Sequence, residues 1–391
     1  MPGLYLHIPF CVQKCRYCDF PSYGGQQHRI GDYLHALTLE MDALQKATDW
    51  GTFDTVFFGG GTPSLLSGNA MQTLLKKLRS HFCIAPDAEI TMECNPGTVN
   101  EEKLYAYRAA GINRLSIGLQ STQDFLLARI GRIHTAAQFL EAFADARTAG
   151  FTNINVDVMH GLPGQREAQY IETLQELIAL GPEHISAYGL ILEEGTPLFD
   201  DVQSEREVLP AEDIVCDMQD AGILLLEQSG YIRYEISNFS KPSFTCRHNL
   251  NYWANGAYLG LGAGAHSAWR LPVLGNAVWT RWSNPAALDA YMTAAPLLLA
   301  QRALERIPVA EEAFETVMLG LRQLSGLPLD AFSARFKTSL LQRYPHAVYR
   351  LIQDGWLELT HDTARLTPHG LDMQNAALQH FLTENGAPEK S

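Results

Sequence analysis

Leu4-Tyr5-Leu6-His7-Ile8-Pro9-Phe10 runs straight into Cys11-Val12-Gln13-Lys14-Cys15-Arg16-Tyr17-Cys18, so a strand-like apolar stretch opens into a loop with three cysteines. Thiolates are the soft ligands that iron-sulfur clusters prefer, and a loop that follows a strand can turn several of them toward one point. A closed structural metal site takes four protein ligands, whereas three cysteines around a cubane leave one iron open to another molecule. One buried cysteine is an ordinary core residue; three at x3 and x2 spacing form a ligand pattern. Zinc is the competing reading. It would need a fourth ligand, and the adjoining Asp19 and Phe20 offer only a carboxylate, a poor match to a thiolate site.

The chain around this loop is 391 residues long, enough for two or three compact units. With 46% hydrophobic and 18% charged residues it can bury a large core, which excludes wholesale disorder. A net charge of -14 opposes attraction to phosphate backbones, so nucleic acid is not an expected partner. Seven cysteines, an odd number, do not read as a disulfide framework. Met1-Pro2-Gly3-Leu4-Tyr5 shows no basic stretch leading into an apolar one, and no apolar run is long enough to span a bilayer. The expectation is a cytoplasmic protein with reduced thiols, not an integral membrane protein.

Outward from the cysteine loop, short β-branched runs alternate with longer segments of helical period. Strands are expected over Leu4 to Ile8, Thr55 to Phe58, Glu89 to Glu93, Arg114 to Gly118, Asn153 to Met159 and His184 to Leu192. Helices are expected over Asp32 to Lys46, Ala70 to Ser80, Ala136 to Ala149 and Glu167 to Leu180. Such alternation predicts an α/β fold with a parallel sheet, and about six units suit a partial (βα)6 barrel. Ligands of parallel α/β folds gather at the carboxyl ends of the strands. There the sequence places Gly59-Gly60-Gly61-Thr62-Pro63-Ser64, Glu93, Gln120 and Asp157. The glycine turn lets backbone N–H groups approach a ligand, or serves only as a tight connection; it lacks the P-loop and dinucleotide spacings. Glu93 and Asp157 are carboxylates in apolar strands, either ion-paired structurally or functional.

Residues 197–209 read as a polar connection, Ala211 to Ser229 as a helix and Ile232 to Ile236 as an edge strand. Cys246-Arg247-His248-Asn249-Leu250-Asn251-Tyr252-Trp253 reads as a polar loop in which His248 is a potential axial ligand beside two aromatic surfaces. On chemistry alone, a lone loop histidine is more often solvated or hydrogen-bonded. Beyond Val309, helices over Glu311 to Leu321, Leu327 to Phe336 and Leu341 to Asp354 precede a small hairpin, a winged-helix-like α+β pattern. Acidic side chains outnumber basic ones over residues 300–391, so the electrostatic footprint of DNA binding is missing and a packing, lid or partner-binding role is expected. The polar tail after Thr383 reads as disordered. The expected division is 1–200 for the barrel, 201–305 for its extension and 306–391 for the C-terminal unit.

The Cys-x3-Cys-x2-Cys run resembles the signature of the radical S-adenosylmethionine proteins. Gly59 to Ser64, Glu93, Gln120, Arg132, Asp157 and Gly161-Leu162-Pro163-Gly164 extend the likeness to the oxygen-independent coproporphyrinogen III oxidase-like family. His248-Asn249-Leu250-Asn251-Tyr252-Trp253 looks like the His-Asn-x-x-Tyr-Trp motif of its heme chaperone branch. The resemblance implies that Cys11, Cys15 and Cys18 ligate a [4Fe-4S] cluster, whose open iron takes the amine and carboxylate of S-adenosyl-L-methionine. By similarity, Tyr5, Tyr17, Gly60 and Glu93 would line that cofactor site. Gly61, Thr62, Gln120, Arg132 and Asp157 match positions that help hold a second S-adenosylmethionine in the decarboxylases. Those enzymes carry a fourth cysteine where this chain has Phe20, and a longer segment before the cluster motif. The resemblance therefore implies a carrier that passes heme to acceptor hemoproteins, with His248 near the heme and without coproporphyrinogen oxidase activity. The radical decarboxylase and a zinc-stabilised barrel are the alternatives.

Overall fold

The computed structural model describes residues 2–385. Six parallel strands lie side by side in chain order: β1 (Gly3–Ile8), β2 (Thr52–Gly60), β3 (Cys83–Cys94), β4 (Arg114–Gln120), β5 (Ile154–His160) and β6 (His184–Gly189). Helices α1 (Ile30–Leu44), α2 (Gly68–His81), α3 (Glu101–Ala110), α4 (Ala136–Thr148) and α5 (Glu167–Leu180) connect them. This is the expected partial barrel of six units.

Side chains alternate across a strand, and here the two sets are chemically distinct. Leu4, Leu6, Val56, Phe58, Ile90, Met92, Leu115, Ile117, Val156 and Ile185 join one core against the helices. The intervening residues turn into the barrel: Tyr5 is level with Phe57, Glu93 with Ser116, Ser116 with Asn155 and Asp157 with Ser186. The same periodicity that buries the helix layer thus builds a polar interior. Caps delimit the helices: Asn100 Oδ1 accepts from Lys103 N at 3.0 Å, and Gly111 ends α3 at φ 111°, where a side chain would be strained.

The sheet continues past both edges of the barrel. After α6 (Glu212–Gln228) and α7 (Arg247–Trp253), the strand β7 (Tyr258–Leu261) pairs parallel with β1. β8 (His266–Val273) and β9 (Asn276–Ser283) follow antiparallel, while Asn238–Ser240 closes on β6. Twelve strands form this sheet among the described residues.

Three expectations are corrected. Cys246 to Trp253 is no polar loop. It is the helix α7, whose first N–H groups, from Arg247 and His248, are each accepted at 3.1 Å by the Glu89 carboxylate reaching across from β3. The connection after Pro197 contains a short helix, Pro197–Gln203, capped by Thr196. The helix expected over Leu341 to Asp354 breaks at Tyr344 because Pro345, lacking an N–H, starts a new one, Pro345–Gln353.

A buried carboxylate ties the barrel to its extension. Glu40 on α1 is fully buried and accepts from Gly262 N, Asn284 Nδ2 and Tyr291 OH, each at 2.8 Å, and from Arg302 Nη1 at 3.0 Å. Residues beyond Val309 build a second core around Val317, Phe332, Tyr344, Val348, Leu351 and Phe381. A three-stranded sheet of Leu327–Pro328, Thr363–Leu366 and Leu357–Leu359 flanks it. This unit grips the turn after α7 through Asn255 Nδ2 to Thr316 Oγ1 at 3.0 Å and Arg335 Nη1 to the Asn255 carbonyl at 2.7 Å. The last helix, Gln374–Asn385, covers the start of the tail expected to be disordered; its remainder lies outside the described residues. No helix among the described residues is long and apolar enough to cross a membrane.

Candidate cofactor site

A cavity of about 560 Å³ opens at the carboxyl ends of the six strands. It brings together Cys11, Cys15, Tyr17 and Cys18 of the loop with Gly60, the last residue of β2, and Gly61 and Thr62 after it. Glu93, Gln120, Arg132 and Asp157 complete the lining. Eleven residues from six separate stretches of sequence therefore meet in one cavity.

The cysteine loop is held by its backbone. Arg16 N donates to the Ile130 carbonyl at 3.0 Å, Leu198 N donates to the Arg16 carbonyl at 2.9 Å, and the Arg16 guanidinium pairs with Asp201. Gln27 Nε2 donates to the Cys11 carbonyl at 2.9 Å. Thr62 Oγ1 lies 3.6 Å from Cys11 Sγ and Arg132 Nη1 lies 3.7 Å from Cys15 Sγ, both donors aimed at sulfur. All three cysteines are free. Burial pushes the Cys11 and Cys18 thiols up, so taking iron would release their protons. No group of three His, Cys, Asp or Glu side chains among the described residues closes around a single metal ion. A cubane asks less convergence, since each thiolate takes a different corner. The donor set fits a cluster better than a lone zinc.

Of the two readings of the glycine turn, a surface for ligand N–H contacts or a tight connection, the hydrogen bonds fit the tight connection. Gly60 N donates to Glu93 Oε2 at 3.1 Å, Gly61 N to the Ile8 carbonyl at 2.9 Å and Thr62 N to the Phe10 carbonyl at 2.8 Å. Those donors are spent on tying the end of β2 to its neighbours β1 and β3 and to Phe10, just before the cysteine loop. Glycine is required for space: Gly60 sits at φ 108°, and a Cβ there would lie 2.4 Å from His7 Cε1. Gln120, a non-glycine at φ 70°, marks the bulge where β4 loses register with β5. Its Oε1 accepts from Tyr188 OH at 3.1 Å.

Two carboxyls face each other across this interior. Asp157 accepts from Ser116 Oγ at 3.1 Å and Asn155 Nδ2 at 2.8 Å, yet burial still raises its pKa. Burial pushes Glu93 up to about 8, with Asp157 adding to the shift and the Gly60 N–H opposing it. An acid raised on folding binds more protons in the folded than in the unfolded state. Stability therefore falls as pH rises from the ordinary 4.5 to about 8. In thermal melts of the apo-protein, Glu93→Gln should gain on the wild type progressively across that window; parallel curves would contradict the assignment.

Tyr5 and His248 are not brought into this cavity. Tyr5 OH bonds His7 Nδ1 at 2.9 Å, its ring stacks on Phe57, and its side chain faces a neighbouring cavity. His248 is 1% exposed, with Nδ1 2.7 Å from Thr55 Oγ1, Nε2 3.3 Å from Tyr252 OH and its ring stacked on Phe57. Burial drives its pKa down to about 3. Residues the sequence did not single out complete the network. Asn95 Oδ1 accepts from Arg132 Nη2 at 2.8 Å while its Nδ2 donates to Thr62 Oγ1 at 2.8 Å. Arg114, 2% exposed, lies on the cavity floor. An arginine opening a strand whose alternate positions are Leu115, Ile117 and Leu119 was the available signal.

Known proteins match this arrangement along the whole chain. The Radical SAM superfamily profile matches residues 5–177 and the HemN C-terminal domain profile matches residues 307–373. The chain is 39% identical to the heme chaperone HemW of Escherichia coli over 98% of both chains. It is 34% identical to that of Bacillus subtilis over 98% of this chain and 100% of the relative. The solved coproporphyrinogen III oxidase HemN of Escherichia coli shares the fold at a TM-score of 0.80 and 23% identity, covering 97% of this chain and 90% of that one. A radical SAM domain implies a [4Fe-4S] cluster and S-adenosyl-L-methionine, which the three-thiol cavity can accommodate. Full-length identity to these relatives decides the matter: the chain belongs to the HemW heme chaperone family of radical SAM proteins.

Proposed function

We propose that this protein binds heme, holds a [4Fe-4S] cluster with S-adenosyl-L-methionine, and passes heme to acceptor hemoproteins in the cytoplasm. The observation that carries the cofactor part is the convergence of Cys11, Cys15 and Cys18 on one cavity with Gly60, Glu93 and Arg132. The heme part is supported by full-length similarity to proteins named heme chaperones.

Cys11, Cys15 and Cys18 would ligate the cluster, which when bound supplies electron transfer and an open iron position. Tyr17, Gly60 and Glu93 line the space beside it, and Tyr5 backs it through His7 and Phe57. Glu93 is the wall group that a cationic amine would ionise. Arg132 steadies Cys15 and, through Asn95, the Thr62 turn. Gly61, Thr62, Gln120 and Asp157 complete a polar wall whose hydrogen bonds are largely satisfied within the protein, which favours one S-adenosylmethionine over two. Phe20, where the decarboxylases have a fourth cysteine, disfavours coproporphyrinogen oxidation.

His248 would act through Tyr252, holding that ring by the contact between Nε2 and the phenol. Anaerobically reconstituted protein titrated with ferric heme should show a saturable Soret change, and His248→Ala should weaken binding roughly 10-fold, as loss of outer-sphere support does. Absence of heme binding, or turnover of coproporphyrinogen III to protoporphyrinogen, would defeat the reading.

A further inference from the structure

A second cavity, of about 740 Å³, adjoins the first and has no role so far. Its volume is within the ~300–1,000 Å³ typical of small-molecule sites. It lies against the inner side of β1, β7 and β8, with Tyr5, Tyr252, Tyr258 and Phe20 among its walls. The Tyr252 and Tyr258 rings meet edge to face, centroids 4.8 Å apart, so one offers its face where the other offers its edge. Phe20, 61% exposed, lines both cavities and forms part of the partition between the cluster loop and this space. Broad aromatic walls at the mouth of a barrel suit a flat, mostly apolar ring system.

Two imidazoles face this cavity, and only one has a nitrogen to spare. His7 is spent, with Nδ1 on Tyr5 OH at 2.9 Å and Nε2 on the Pro21 carbonyl at 2.8 Å. His266 is exposed, and its ring makes no hydrogen bond or ion pair among the described residues. It is not on a loose loop: it begins β8, paired with Ser283 of β9, so its backbone is fixed by the sheet. His248, by contrast, has both nitrogens engaged inside the barrel and reaches this cavity only through Tyr252.

We propose that the second cavity is the heme seat and that His266 is the axial ligand of the heme iron, with Phe20 as the wall between the macrocycle and the cluster. This rests on the heme-binding reading above and names the site for it. A lone pair of the neutral imidazole forms a coordinate bond to ferric iron in place of a solvent ligand; no electron or proton is transferred.

The test uses the full-length, anaerobically reconstituted chain and ferric heme, read by visible absorption and electron paramagnetic resonance. Wild type should show the signature of imidazole ligation. His266→Ala should lose it and bind at least the ~10-fold more weakly that removal of even an outer-sphere partner costs, and added free imidazole should restore the signature. His248→Ala should keep the signature while binding less heme. His266 is exposed, so its replacement leaves the core intact, and circular dichroism checks this. If His266→Ala keeps the imidazole signature, or His248→Ala alone loses it, the inference is overturned while heme binding stands. If wild type binds no heme, both fall together.

Discussion

Cys15→Ala protein, reconstituted anaerobically with iron and sulfide, is expected to return iron and acid-labile sulfide at background, where the wild type returns ~4 irons per chain. Three thiolates already leave a cubane one ligand short, and a fourth corner is sustained only by the small molecule that completes it. Removing Cys15 leaves two corners unsupported and deprives Arg132 Nη1 of the sulfur it faces at 3.7 Å. No other cysteine can stand in. Cys94 is on the same cavity wall, but burial pushes its thiol up to about 12, while Cys246 is buried at 3.6 Å from the Glu89 carboxylate. Cys83 and Cys216 are exposed. S-adenosylmethionine retention should fall in parallel, with an unchanged circular dichroism spectrum. An intact cluster in the Cys11, Cys15 or Cys18 variants would refute the ligand assignment.

Glu40→Leu is expected to cost about 3–5 kcal/mol of unfolding free energy, the range for breaking a buried ion pair from one side. Against a typical total of ~5–15 kcal/mol, that is a large share. The carboxylate satisfies four donors at once, and its loss leaves the buried Gly262 N–H and Tyr291 hydroxyl without acceptors and strips the Arg302 guanidinium of its counter-charge. Urea melts should show a lower midpoint at nearly unchanged slope. Glu40→Leu combined with Arg302→Met should recover most of the loss, because the cost lies in the stranded charge more than in the missing bond. A single variant within about 1 kcal/mol of wild type would show that water reaches the site.

What could be read from the sequence was what is local and periodic. The cysteine spacing, the alternation of strand and helix, and carboxylates standing at strand ends each express themselves within a dozen residues, and the structure gathers eleven of them into one cavity. What was hidden depends on distant partners. The short helix α7 is too polar and too brief to show a helical stripe; it is completed by Glu89, far earlier in the chain. His248 reads from the sequence as a histidine in a polar loop, and nothing local reveals that Thr55 and Phe57 enclose it. The glycine run after Tyr258 gave no strand signal either, because the partner of β7 is β1, at the far end of the sequence. Nor does spacing reveal that the N–H groups of Gly60 to Thr62 are consumed by Glu93, Ile8 and Phe10.

Because neighbouring positions in β4 face opposite media, the strand has a parity as well as a length. Adding one residue beside Ile117 would send Ser116 or Gln120 into oil and a leucine into the cofactor chamber, reversing everything downstream at once. Drift in this lineage should accordingly spare strand length and collect in the connections, where a shift by one carries no such inversion.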